Sequence, residues 1–211
     1  MWVKICGLCD EASARACFAA GASAIGINLW PESKRYCPPD KALVLAQAVA
    51  HLGEVVFVTV NADNDLLSRV SQVVPTAWLQ FHGDEPADRI AAHLPRAYAA
   101  RPLGTAADLD ALSGVPGNRL LVDAPAGHAR GGTGKHAAWP LAANLSATRR
   151  LILAGGLTPE TVASAITNVR PYGVDVASGI ESAPATQDMQ RVTRFIAQAR
   201  RARPPGERGR N

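Results

Sequence analysis

The chain has 211 residues, 47% of them apolar, with 22 Lys and Arg against 18 Asp and Glu for a net charge of +4. That is enough chain and apolar content for one well-buried domain, while no apolar run reaches the roughly 18 residues of a membrane span. The charge is confined to residues 200–211, where five Arg and one Glu carry the whole excess among two Pro and two Gly. We expect a catalytic domain over 1–199 and a basic, disordered tail over 200–211, with no nucleic-acid or membrane partner. The N-terminus enters Val3-Lys4-Ile5 without a signal peptide's apolar core, so a soluble cytoplasmic protein is expected.

Apolar strands alternate with helical patterns from end to end. The first strand is 3–6, and the helix after it, 11–20, stops at Gly21. A second strand, 24–29, runs into a polar loop over 30–36, and a helix over 40–50 follows Pro38 and Pro39. Strand three, 55–60, ends on Asn61 and precedes a helix over 65–73. Strand four, 77–82, is followed by a helix over 86–93; strand five, 96–103, by a short one over 106–112.

The sixth strand is an apolar run, Leu120-Leu121-Val122, that ends on Asp123. Its loop carries Gly131, Gly132 and Gly134, and a helix over 139–144 comes next. Strand seven, 150–154, ends on Gly155-Gly156 ahead of a helix over 160–169. Strand eight, 174–177, runs into Ser178-Gly179, and the last helix covers 188–202.

Eight strand–helix units with short connections indicate the α/β class, as a single (β/α)8 barrel. An open doubly wound sheet is the rival. It would carry G-x-G-x-x-G after its first strand, where only Gly7 stands. The barrel is preferred.

In a barrel every strand end faces one mouth, so Cys6, Gln80, His82, Asp123, Gly155, Gly156, Ser178 and Gly179 converge there. Cys6 and Asp123 have the groups suited to moving a proton. The glycine pairs after strands seven and eight lie where barrels bind phosphate through backbone N–H groups. Arg35, in Ser33-Lys34-Arg35-Tyr36, has the fork that grips a carboxylate with two parallel hydrogen bonds. Of the four cysteines, Cys6 and Cys9 form a CxxC. A thiol–disulfide function is therefore an alternative, whereas a zinc site lacks two further ligands at metal spacing.

KICG (4–7), SKRY (33–36), QFHGDE (80–85), LLVD with GGTG (120–134), LAGGLTPETV (153–162) and YGVDVASGIESAP (172–184) together resemble phosphoribosylanthranilate isomerase, in the family's order, over about 3–199. The resemblance implies a cofactor-free Amadori rearrangement of N-(5'-phosphoribosyl)anthranilate in tryptophan biosynthesis, with no metal. It implies Cys6 as general base and Asp123 as general acid. Arg35 would hold the anthranilate carboxylate, and Gly155, Gly156, Ser178 and Gly179 the phosphate. Gln80 and His82 would line the mouth, and Gly132 would belong to a loop closing over the substrate.

The chain departs from the family pattern at Cys9 (usually Thr), Thr59 (Phe), Ala137 and Ala138 (an aromatic and Asp) and Ala177 (Ser). None of these is a proposed proton-transfer residue. A related isomerase acting on another phosphosugar amine is a further alternative. A monomer is the default, with a dimer possible.

Overall fold

The computed structural model of the chain describes residues 1–123 and 139–202. Its strands are β1 (Trp2–Cys6), β2 (Ala24–Asn28), β3 (Glu54–Thr59), β4 (Trp78–Phe81), β5 (Ala97–Pro102), β6 (Arg119–Asp123), β7 (Arg150–Ala154) and β8 (Gly173–Val176). The helices between them are α1 (Glu11–Ala19), α2 (Pro39–Val49), α3 (Asn64–Val73), α4 (Ala87–Ala91), α5 (Ala106–Leu112), α6 (Trp139–Ser146) and α7 (Val162–Val169). All eight strands are parallel and hydrogen-bonded in chain order. The ring closes where β1 pairs with β8, Val3 opposite Val174 and Lys4 opposite Asp175. This is the expected (β/α)8 barrel.

Closure makes the two faces of each strand different. Odd residues of β1 such as Val3 and Ile5 join the shell under the helices, whereas Trp2 points inward with Ala24, Val56, Tyr98, Leu121 and Ile152. The lower end of the interior is plugged by Arg119. Its guanidinium stacks 3.8 Å from the Trp78 ring, lies over Trp2 and Tyr172, and is held by both Glu54 carboxylate oxygens at 2.6 and 3.0 Å. Cation–π contact and a two-pronged ion pair close that end, leaving the strand C-termini as the open one.

Local signals set the helix ends. Asp10 and Asp63 cap α1 and α3 by accepting the N–H groups of Ser13 and Leu66, and Thr105 with Asp108 forms a reciprocal capping box on α5. α4 is shorter than expected, ending in a turn before Pro95, which cannot extend a helix. α7 begins two residues later than expected, because Thr161 Oγ1 accepts the Thr158 N–H and ties 158–161 into a turn.

The stretch 178–187 folds as a single 3-10 turn (Ser178–Ile180) and a small hairpin of β9 (Glu181–Ala183) and β10 (Thr186–Gln187), where only a loop was expected. α8 (Met189–Arg201) follows, capped by Asp188, and Arg200 on it donates to the Gly21 carbonyl at 2.7 Å. Among the described residues no helix is long and apolar enough to cross a membrane.

Candidate active site

Strand alternation puts Lys4 and Cys6 on the inward face of β1, the second at its mouth end. Gly26 on neighbouring β2 makes room for both: a Cβ there would sit 2.7 Å from Cys6 Sγ and 2.8 Å from Lys4 Cε. Lys4 is wholly buried, and its ammonium donates to Asp175 Oδ1 at 2.9 Å. Burial opposes its charge, yet Asp175, Cys6 and Tyr98 outweigh that penalty and hold the Lys4 pKa above its ordinary value. The Cys6 thiol is pushed above its ordinary 9.0 by burial, while Lys4 pulls in the other direction. The ammonium is thus the local pull toward thiolate, and burial is stronger.

Asp123 ends β6, three strands from β1 around the closed sheet, so it faces Cys6 across the mouth. Burial raises its carboxyl above 3.8, Asp175 adds to the rise and His82 opposes it. A raised carboxyl holds a proton at higher pH, as a general acid needs.

Between them lies a polar chain on β4 and β5. The buried Tyr98 hydroxyl donates to Gln80 Oε1 at 3.1 Å, which turns the Gln80 amide nitrogen toward His82 Nδ1, 3.4 Å away. Burial and then Lys4 push the His82 pKa down, against the pull of Asp123 and Asp175. Arg101 on β5 braces the rim beside this chain, donating to the carbonyls of Phe81 and Glu85 at 3.1 and 2.8 Å.

Arg35 crosses the mouth from the β2–α2 loop and lies against Gly7. A Cβ at Gly7 (φ +88°) would overlap the Arg35 side chain, so this position needs glycine for both its backbone angle and the space above it. The Arg35 guanidinium is gripped by Glu181, Nε to Oε1 and Nη2 to Oε2, each 2.6 Å. That hydrogen bonding raises the Arg35 pKa further.

After β7, Gly155 and Gly156 take φ of +103° and +63°, a reversal that non-glycine residues rarely make. A Cβ at Gly179 would overlap the Leu157 carbonyl oxygen, so the loops after β7 and β8 are packed against each other. Ser178 is exposed there. The structure therefore brings Cys6, Arg35, Gln80, His82 and Asp123 to the strand C-terminal end of the barrel, with Gly155, Gly156, Ser178 and Gly179 on the loops after β7 and β8 at the same end. Gly132, the rest of the GGTG loop, and Ala137 and Ala138 lie outside the described residues.

Sequence reasoning missed Asp175 and Glu181. The cue for Asp175 was available, since the first and last strands of a barrel pair and each carries one charge, Lys4 and Asp175, in the middle of an apolar run. Glu181 had no such cue. The Cys9 thiol donates to the Tyr36 carbonyl oxygen at 3.9 Å, and Cys6 and Cys9 are both free thiols, which does not favour a thiol–disulfide function for the CxxC.

A sequence model of the family described as N-(5'phosphoribosyl)anthranilate (PRA) isomerase matches residues 3–198. N-(5'-phosphoribosyl)anthranilate isomerases from Magnetococcus marinus and Thiobacillus denitrificans are 38% and 40% identical, over 95% and 94% of this chain and 95% and 97% of theirs. The crystal structure of phosphoribosyl anthranilate isomerase from Thermotoga maritima superposes with a TM-score of 0.83 at 32% identity, covering 95% of this chain and 98% of that one. A structure of the isomerase in complex with reduced 1-(o-carboxyphenylamino)-1-deoxyribulose 5-phosphate has a TM-score of 0.78 at 29% identity, with 95% and 98% coverage.

Proposed function

The chain belongs to the N-(5'-phosphoribosyl)anthranilate isomerase family, and from that premise we propose how the work is divided at its mouth. The reaction is the isomerase step of tryptophan biosynthesis, from N-(5'-phosphoribosyl)anthranilate to 1-(2-carboxyphenylamino)-1-deoxyribulose 5-phosphate. Asp123 is the general acid. It protonates the furanose ring oxygen, the C1–O bond breaks, and the anilino nitrogen forms an imine with C1. Cys6 is the general base; its thiolate removes the C2 proton and the electron pair moves to the imine nitrogen. The enol that results tautomerises to the ketone, leaving the atoms of the substrate unchanged in number.

The observation that carries this division is the placement of a half-buried carboxyl and a half-buried thiol at the mouth ends of β6 and β1. Asp123 is biased toward its protonated form, and Cys6 has a buried ammonium at its back to stabilise a thiolate. The substrate's own imine is the electron sink. Arg35 holds the anthranilate carboxylate. Backbone N–H groups of Gly155, Gly156, Ser178 and Gly179 take the phosphate, and His82 with Gln80 lines the sugar path. Gly132 is assigned to the loop that covers the substrate.

The proposed working unit is a monomer of a barrel over 1–199 with a basic tail. A related structure describes the Thermotoga maritima enzyme as dimeric, and sedimentation velocity decides between the two states here. A cytoplasmic setting fits a base that must remain a free thiol.

The test is direct. Substrate generated in situ loses its fluorescence when the protein is added, and Cys6→Ala and Asp123→Asn each abolish that loss. Unimpaired turnover by either variant would remove that residue from the mechanism.

A further inference from the structure

We propose that Glu181 is the positioning residue that aims Arg35 at the substrate's carboxylate, and thereby sets the preference for an ortho-carboxylated aromatic amine. This rests on the reading of Arg35 as the carboxylate anchor.

A guanidinium has five N–H donors, arranged so that two different edges can each meet a carboxylate. Glu181 takes the edge made by Nε and one Nη2 hydrogen, with two bonds of 2.6 Å. The edge made by Nη1 and the second Nη2 hydrogen keeps the geometry for a second carboxylate. Two parallel bonds fix the plane of the group as well as its position, which a single bond or a solvated arginine would not do.

Glu181 is itself anchored. Its side chain is 5% exposed, its Oε1 accepts the Ala185 N–H at 3.2 Å, and its carbonyl accepts Arg191 Nη1 at 2.8 Å. The same hairpin reaches the base of the site, where Gln187 Nε2 donates to the Gly7 carbonyl at 3.3 Å. Gly7 follows Cys6 and seats the Arg35 stem. The β9–β10 hairpin therefore ties the carboxylate anchor and the strand end bearing the base into one unit.

The energetic consequence concerns order more than charge. An arginine in a polar surface loop loses several rotatable bonds when it grips a ligand, and a fork formed beforehand removes that cost from binding. Glu181 also neutralises Arg35, so it weakens the long-range pull on any anion. What it gives in return is discrimination, since only a carboxylate placed at the remaining edge gains the two bonds.

The probes are reduced 1-(o-carboxyphenylamino)-1-deoxyribulose 5-phosphate and its counterpart made from aniline, which lacks the carboxylate. Their affinities are measured by titration calorimetry on the full chain. For Glu181→Gln the preference for the carboxylated compound falls about tenfold, the scale of one charge-assisted hydrogen bond. KM for the natural substrate rises more than kcat falls. Glu181→Asp, which keeps the charge but draws it back by one methylene, falls between, and supplies the same comparison where the amide variant does not fold.

A variant that lowers both affinities by one factor, leaves them unchanged, or strengthens the carboxylated compound overturns the proposal; the last result would make Glu181 a competitor for Arg35. Arg35→Met separates the two levels. Loss of the preference there with none in Glu181→Gln sinks the positioning role alone, while an intact preference in Arg35→Met sinks the reading of Arg35 beneath it.

Discussion

Lys4 and Asp175 are register partners across the seam where the barrel closes, and their side chains meet inside it, Nζ to Oδ1 at 2.9 Å. One contact thereby joins the first strand to the last and places a positive charge behind the thiol at the end of the first. Lys4 is fully buried, so this ammonium has no access to water that could replace its partner.

Replacing Lys4 with Met separates the two consequences. It leaves the Asp175 carboxylate uncompensated in the interior, at a cost of about 3–5 kcal/mol, read as a lower denaturant midpoint with unchanged slope. It also removes the group that pulls the Cys6 thiol toward ionisation, so alkylation of Cys6 by iodoacetamide needs higher pH than in the parent. An unchanged alkylation profile would show that Lys4 serves only to hold the seam.

The two raised groups dictate a pH–rate profile. The proposed mechanism requires the thiolate of Cys6 together with the acid form of Asp123, although the thiol has the higher pKa of the two. Below the Asp123 pKa the carboxyl is fully protonated and the rate climbs tenfold per unit as thiolate forms. Between the two values the gain in thiolate and the loss of acid cancel, giving a plateau. Above the Cys6 pKa only the loss of acid remains and the rate falls. The acid limb of kcat/KM therefore reports Asp123 and the alkaline limb Cys6. Lys4→Met should move the alkaline limb up and lower the plateau by the same factor. A profile whose alkaline limb is insensitive to that substitution contradicts the assignment.

The proposed role of Asp123 comes at the expense of stability. Its carboxyl is raised in the fold, chiefly by burial, so the folded state holds the proton more tightly than the unfolded one. The carboxylate thus destabilises the fold above its folded pKa, and that penalty disappears as pH falls through it. Asp123→Asn removes the charge and keeps the shape. It should melt higher than the parent at neutral pH, by an amount on the order of 0.5–2 kcal/mol, and lose about a hundred- to ten-thousand-fold in kcat. Thermal melts at pH 7 and pH 4 test both the sign and the trend, since the advantage should shrink at the lower pH.

Most of this architecture was legible in the chain because buried parallel strands are short apolar runs with abrupt polar ends. Leu120-Leu121-Val122 stopping at Asp123 and Leu151-Ile152-Leu153 stopping at Gly155 mark both the strand and the side of the barrel that carries chemistry. What could not be read depends on partners far away in sequence. Nothing in GIESAP says that the Glu181 carboxylate reaches Arg35, 146 positions earlier. The hairpin bearing it has strands of three and two residues, too short for alternation to register. Lys4 and Arg119 are charges within otherwise apolar strands; closure of the sheet turns both inward, one beneath the mouth and one into the plug at the far end.

The rim proposed for phosphate rests on a contact with no slack. Gly179 lies against the Leu157 backbone closely enough that a methyl group would overlap its carbonyl oxygen, and backbone yields less readily than a side-chain tip. Gly179→Ala must therefore push the β8 turn away from the β7–α7 loop, at about 1–3 kcal/mol for the forced displacement. If both loops donate N–H groups to one phosphate, separating them breaks a shared geometry. Inorganic phosphate should then lose about tenfold or more as a competitive inhibitor, since its binding is made of little besides those charge-assisted bonds. Binding of anthranilate, which has no phosphate, serves as the control for a general disturbance of the mouth. A large fall in stability with phosphate inhibition intact would place the ligand on one loop alone and leave Gly179 with a packing role.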